Sequence, residues 1–286
     1  MPELPEVETI RRELQLRLRG QTVRAVEVCV PKMAHPSAAA LRQGLSGRRV
    51  LAVKRRAKML VCVLSGQRYL VFHLKMTGQL VFAAKSGRTV SGGHPIPNLG
   101  VLPNKFTHVI FRFRGGGTLY FNDQRKFGWV KLVDADGLHA MTAHLGMEPL
   151  SGAYTWGAFA RAVHRYPNRE IKQVLMDAER IAGVGNIYAD ESCFCARLRP
   201  TRRVRTIREG DLKILYRCIP RVLRLALRHK GTTQDTYRRV NGQSGYMAPF
   251  LNVYGRKGKP CKRCHSPIVK TVVGQRGTHY CPRCQK

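Results

Sequence analysis

Four cysteines close the chain as Cys261-x2-Cys264, sixteen further residues, then Cys281-x2-Cys284. Each pair is a two-ligand knuckle, and four thiolates suit a tetrahedral zinc ion. Two disulfides are the competing reading, but they belong to secreted scaffolds and the first residues carry no apolar secretion signal. Four protein ligands leave no position for water, so the expected role of the metal is structural. At the other end stand Pro2 and Glu3. Removal of Met1 ahead of small Pro2 is expected to expose a secondary amine. An α-amino group titrates near pH ~8 against ~10.4 for lysine, so more of it is neutral and nucleophilic. Such an amine can attack a sugar C1′, expel the base and leave an iminium. Glu3 could move the protons. The bland reading of both residues is a helix lead-in.

Those groups need supports. From Leu4 to Arg19, the positions Val7, Ile10, Leu14 and Leu18 recur at helical spacing, and Gly20 is a natural stop. Pro5 suits a first turn, while Glu6 and Glu8 complement the helix dipole. Short β runs follow: TVRAVEVCV, RRVLAVKRRAKMLVCVL, RYLVFHL, THVIFRF, GTLYF and FGWVKLV. Six or more strands with Gly-rich turns predict a sandwich or barrel. Residues 84–104, polar and rich in Gly and Pro, read as an exposed loop. After a loosening over 134–155, the spacing predicts a helix from Ile171 to Ala182. A second helix runs from the GVGN turn (183–186) through IYADESCFCA. A third runs from a Thr206/Glu209 capping box past Leu212, Leu215, Ile219, Val222 and Leu227 to Gly231. IVKTVV and THYC read as strands joined at GQRG, with Arg276 at the tip. Cys29, Cys62, Cys193, Cys195 and Cys218 lack ligand spacing and read as buried small hydrophobes.

Lys and Arg total 51 against 17 Asp and Glu, a formal charge of +34. Solubility needs far less, and the excess costs self-repulsion, so a polyanionic partner is implied. Nucleic acid fits best, because binding phosphates relieves the repulsion and releases counterions. A membrane surface is disfavoured, since no basic amphipathic helix or lipidation motif stands out. No run approaches the roughly 18 apolar residues of a membrane span. In so basic a chain, Arg276 is expected to face phosphate.

MPELPEVETIRR resembles the amino-terminal signature of the formamidopyrimidine-DNA glycosylase family, bacterial base-excision enzymes that remove oxidised purines. The likeness continues in RRAKMLV (55–61), HLKMTGQL (73–80), DQRKFG (123–128), HLGMEPL (144–150), AGVGNIYADE (182–191), VYGRKG (253–258) and QRGTHYCPRCQK (275–286). A sister branch acting on oxidised pyrimidines resembles PEGPE at the start, and PELPE here favours the purine branch. The resemblance implies that Pro2 is the Schiff-base nucleophile and Glu3 its proton-handling partner. It implies that Lys58 assists β-elimination and contacts the lesion phosphate, and that Arg276 binds phosphate for δ-elimination. Asn186 matches a backbone-phosphate contact in a helix–two-turn–helix, at a turn that also offers N–H groups to an anion. Met76, Arg125 and Phe127 match the trio that fills the gap left by a flipped base. Lys75, Gln124, Lys126, Phe106 and Asn168 depart from the family pattern around these positions. NGQSGYMAPF (241–250) falls where the lesion-recognition loop lies.

The expected architecture is α+β. Residues 1–135 form a catalytic β-sandwich with a leading helix, 136–255 a helical helix–two-turn–helix domain, and 256–286 a zinc hairpin. The expected protein is a cytoplasmic monomeric glycosylase and abasic-site lyase, with one zinc ion. It acts on duplex DNA containing oxidised bases or abasic sites. A shifted preference for oxidised pyrimidines, and a non-catalytic zinc-ribbon binder, are the alternatives.

Overall fold

A computed structural model of the chain describes residues 1–86, 89–93, 101–232 and 246–286. Two compact units emerge: 1–143 with 229–248, and 144–228 with 249–286.

In the first unit, α1 (Leu4–Leu18) buries the predicted stripe, with Val7, Ile10, Leu14 and Leu18 each at most 1% exposed. The helix stops where expected, before Gly20 at φ +85°. The strands are β1 (Val23–Val28), β2 (Ala34–His35), β3 (Val50–Arg56), β4 (Met59–Leu64), β5 (Arg68–His73), β6 (Gly78–Ala83), β7 (Thr89–Gly93), β8 (Thr107–Phe113), β9 (Thr118–Asp123) and β10 (Trp129–Val133). They form two five-stranded sheets, ordered β1-β8-β9-β6-β7 and β2-β10-β5-β4-β3. One core joins both sheets to α1 and to α2 (Ala38–Leu45). Phe72 of one sheet meets Phe111 and Phe121 of the other edge-on, with ring centroids 5.7 and 5.9 Å apart. This is the expected sandwich, held by inward-facing aromatics.

Three strand expectations need correction. The run 48–64 is two strands, broken where Ala57 takes φ +52° and the chain reverses. Residues 78–83 form a strand that the alternation did not single out. Part of the loop expected at 84–104 is β7, paired to β6; its residues 87–88 and 94–100 lie outside the described residues. Helix α3 (Ala135–Thr142) ends this unit's first stretch.

The second unit holds α4 (Trp156–His164), α5 (Ile171–Met176), α6 (Asn186–Cys195), α7 (Glu209–Arg228) and the hairpin β11 (Val269–Val273) and β12 (Arg276–Tyr280). The helix expected over 171–182 ends at Met176, because Asp177 turns to an extended conformation (φ −74°, ψ 109°). Thr206 does not cap α7: it lies in a short 3-10 turn and its hydroxyl donates to Arg203 O. Three of the five unassigned cysteines depart from the expected buried small hydrophobe. Cys195 and Cys218 form a disulfide between α6 and α7, their Cα atoms 5.8 Å apart. Cys29 is exposed, whereas Cys62 and Cys193 are buried as expected. Burial alone pushes the Cys62 thiol up to about 12, which leaves it inert. No helix among the described residues is long and apolar enough to cross a membrane.

Candidate active site and metal centre

The amino-terminal corner is ordered by a reciprocal capping box. Glu3 is the N-cap of α1, and its own N–H donates to Glu6 Oε2 at 2.9 Å. Pro2 is buried and Glu3 is 3% exposed, so the two sequence-predicted groups sit in a fixed, largely dry corner. Glu6 has a second task. Its Oε1 accepts the Thr232 N–H at 2.8 Å, which ties the first turn of α1 to the stretch beginning at 229. A Cβ on Gly231 (φ +85°) would lie 2.9 Å from that oxygen, so the close approach also needs glycine.

Lys58 is half-buried in the tight turn between β3 and β4. The turn is braced from behind. Arg55 Nη1 donates to Ala57 O at 2.8 Å, and its Nε pairs with Glu8 Oε2 at 3.2 Å. Glu8 also accepts from Arg11 and Arg12, each at 2.9 Å. Burial pushes the Glu8 carboxyl up, but hydrogen bonds from Arg11 and Arg12 and the charges of Arg11 and Arg55 outweigh it. The net result lies below the usual carboxylate value. His73, opposite Met59, is driven down to about 3 by burial, with Lys75 and Lys58 adding to it. It is therefore a neutral acceptor, and its Nδ1 takes the Lys75 N–H at 2.9 Å.

Met76, Arg125 and Phe127 are brought together by one buried carboxylate. Asp123 Oδ1 accepts the Thr77 hydroxyl and the Arg125 N–H, the latter at 3.0 Å. Its Oδ2 accepts the N–H groups of Phe127 at 3.0 Å and Gly128 at 2.6 Å. The Thr77 hydroxyl oxygen also accepts from Arg125 N–H at 3.1 Å, linking the two turns directly. Met76 is 39% and Phe127 53% exposed, unlike the core residues around them. The Arg125 guanidinium lies 4.6 Å from the Phe127 ring centroid. Two apolar tips and a cation are thus displayed on a rigid base, as an intercalating wedge requires. Lys75 and Lys126 flank the tips at φ +49° and +55°. Glycine would take that left-handed geometry more readily than lysine does. Phe106 is half-buried, with its N–H on Asn104 Oδ1 at 3.0 Å, and Asn168 is an exposed turn residue.

In the second unit, Asn186 opens α6 and donates from Nδ2 to Gly277 O at 3.0 Å. Its buried Oδ1 meets no hydrogen-bond partner among the described residues. Arg276 is exposed and begins β12, one residue past the two-residue tip Gly274–Gln275, rather than at the tip itself. The Asn186–Gly277 bond ties the start of α6 to the backbone next to Arg276. A fully buried ion pair fixes the platform under them. Lys172 Nζ meets Asp190 Oδ1 at 2.7 Å and Thr278 Oγ1 at 2.7 Å, while Asp190 Oδ2 accepts His279 N–H at 2.8 Å. Next in α6, Glu191 accepts the N–H groups of Asn252, Val253 and Tyr254 at 2.9–3.0 Å. The sulfurs of Cys261, Cys264, Cys281 and Cys284 lie within 4.8 Å of one another. Their softness and number fit one structural zinc ion, and backbone N–H groups of Arg263 and Cys284 support the sulfurs at 3.4 Å.

Asp123, Thr77, Glu6, Lys172, Asp190 and Glu191 escaped the sequence reading as site residues. The available signal was an acid at a turn (Asp123) and adjacent acids in an apolar helix (Asp190, Glu191). Residues 241–245 of the proposed recognition loop lie outside the described residues; Tyr246 and Phe250 are exposed.

Three family models match in order. The formamidopyrimidine-DNA glycosylase N-terminal domain covers 1–130, the H2TH domain of the same enzyme covers 145–238, and the zinc finger found in FPG and IleRS covers 258–286. Among curated relatives, the formamidopyrimidine-DNA glycosylase of Pelotomaculum thermopropionicum is 41% identical, over 100% of this chain and 99% of that protein. That of Herpetosiphon aurantiacus is 39% identical, over 100% of each. Among solved structures, Lactococcus lactis Fpg with abasic-site DNA aligns with a TM-score of 0.86 at 30% identity over 99% of both chains. A point mutant of that Lactococcus lactis protein in complex with Fapy-dG DNA gives 0.88 at 31% over 100% of both. The MutM (FPG) protein of Thermus thermophilus gives 0.84 at 38%, over 99% of this chain and 98% of that one. With three family models matching in order, full-length relatives near 40% identity and the four thiolates gathered as the zinc finger demands, the chain belongs to the formamidopyrimidine-DNA glycosylase family.

Proposed function

We propose that this chain excises oxidised purines, 8-oxoguanine and formamidopyrimidines, from duplex DNA and then cuts the strand at the abasic site. The reading is carried by Pro2, buried at the capped mouth of α1 with Glu3 beside it in sequence. Once Met1 is removed, the neutral ring nitrogen of Pro2 attacks C1′. The base leaves with the bonding electrons and takes up a proton, and an iminium joins the protein to the opened sugar. Glu3 shuttles the protons. Loss of a 2′ proton expels the 3′ phosphate, with Lys58 assisting, and a second elimination expels the 5′ phosphate, with Arg276 on that group. Met76, Phe127 and Arg125 fill the vacated stack, and Asn186 holds backbone phosphate. Residues 1–135 carry the chemistry, 136–255 the helix–two-turn–helix contacts and 256–286 the zinc hairpin; we place the protein in the cytoplasm as a monomer.

Borohydride trapping tests this on matched duplexes carrying 8-oxoguanine or an oxidised pyrimidine. A covalent adduct should form faster on the purine lesion and fall at least tenfold in Pro2→Gly. Full-strength trapping in Pro2→Gly would move the nucleophile elsewhere. A faster reaction on the pyrimidine would assign the sister branch.

A further inference from the structure

At the C-terminal end of α6 lies a cavity of about 810 Å³ to which the proposed chemistry gives no task. Its walls carry Arg197, Arg202, Arg208, Arg263, Arg283 and Lys286, against one acidic side chain, Asp211, and the α-carboxylate of Lys286. We infer that this cavity is a second phosphate-binding site, taking the phosphate groups of a nucleotide or a nucleic-acid strand. It is separate from Asn186 and Arg276. Those lie at the opening end of α6, and ten residues at 1.5 Å each put the two ends roughly 15 Å apart.

A basic patch near a metal centre has a simpler explanation, which is neutralisation of the zinc tetrathiolate. That centre is formally dianionic, and Cys264 and Cys284 line the cavity. Together with Asp211 and the α-carboxylate of Lys286 it still leaves the cations in excess. Two of the arginines have structural work. Arg263 caps α6 by donating from Nη1 to Phe194 O at 2.7 Å, and Arg202 donates to Thr206 O. The guanidinium groups of Arg197, Arg208 and Arg283 meet no hydrogen-bonding or ion-pair partner among the described residues.

Their backbones are nonetheless anchored independently. Arg197 follows the end of α6 at φ +56°, and its carbonyl accepts Lys286 N–H at 3.1 Å. Arg283 sits inside the second metal knuckle, and Arg208 precedes α7, with its carbonyl accepting Leu212 N–H at 3.1 Å. Planar forks on three separate supports, converging on one hollow, match the several oxygens of a phosphate better than they match one carboxylate. Buried Leu198 and 47%-exposed Ile214 add an apolar wall on which a sugar or base can rest. The volume is that of a small-ligand site.

The test uses the full-length, zinc-loaded protein with its lesion site filled by a short duplex carrying an abasic analogue. Two probes are titrated: inorganic tripolyphosphate, and a fluorescent undamaged single-stranded oligonucleotide read by anisotropy. Wild type should bind at least one, and the tighter one identifies the source of the phosphate. The double variant Arg197→Glu/Arg283→Glu should lose that binding about tenfold or more, while zinc content and lesion-cleavage rate at saturating duplex stay unchanged. Arg197→Lys/Arg283→Lys should restore part of it, since charge returns without the fork. The inference is overturned if neither probe binds, if both glutamate substitutions leave affinity unchanged, or if polyglutamate competes better than tripolyphosphate.

Discussion

The two units hold their displayed groups by different means. In the first, single carboxylates gather backbone N–H groups: Glu6 joins α1 to Thr232, and Asp123 gathers Arg125, Phe127 and Gly128. In the second, a metal and a buried Lys172–Asp190 pair support Asn186 and Arg276. The chain has only 17 acidic residues, yet Glu3, Glu6, Asp123, Asp190 and Glu191 are all buried. Buried acids cost free energy unless fully bonded. Their placement shows that scarce negative charge is used here to shape turns, while the exposed surface is left cationic for a polyanion.

The sharpest way to break this comparison is to remove the metal. Chelation should unfold the β11–β12 hairpin, because metal binding and local folding are one equilibrium there. The Asn186–Gly277 bond would go with it, and affinity for abasic-site duplex should drop by about a hundredfold or more. Unfolding of the 1–143 sandwich, followed by calorimetry, should barely move. Loss of both together would show that the units are not independently supported.

A smaller effect is expected from Asp123→Asn. The new amide N–H₂ would face the Phe127 and Gly128 donors, or the Arg125 donor, and leave at least one buried N–H unpaired. That costs about 1–3 kcal/mol. Thermal unfolding should shift accordingly. Excision of a flipped base should slow more than cleavage at a preformed abasic site, which needs less help from the wedge. Equal slowing of both would remove the organising role given to Asp123.

An effect of comparable size concerns pH. His73 is depressed to about 3 in the folded chain and titrates near 6.5 when unfolded. Below about pH 6.5 the unfolded state takes up a proton that the folded state refuses, so stability falls as pH drops toward 3. One such group contributes a slope of up to ~1.4 kcal/mol per pH unit. Above pH 6.5 it contributes none. His73→Gln should flatten stability measured between pH 6 and 4, and an unchanged slope would place the acid sensitivity elsewhere.

Much of this organisation was legible in the residues themselves. Helix α1, its stop at Gly20, the zinc knuckles and the Asn186 turn all announce themselves through local spacing. Other features depend on partners remote along the chain. Glu6 meets Thr232, Lys172 meets Gly277 and Thr278, and Cys195 meets Cys218, and no local pattern reports such pairs. The break at Ala57–Lys58 was hidden because strand-forming residues continue on both sides of it, and only the positive φ reveals the reversal. Strand β7 was hidden by its glycines, which read as loop although they pair with β6.

The neck between Thr232 and Tyr246 has a practical consequence. Tyr246 N–H donates to His229 O at 2.9 Å, Met247 N–H to Gly231 O at 3.2 Å, and Thr232 is pinned to α1. The segments 229–232 and 246–247 are thus stapled to each other and, through Glu6, to the first turn of α1. A substitution at Gly231 or Thr232 would therefore be felt at the capped mouth of α1, although 226 positions separate Thr232 from Glu6 along the chain.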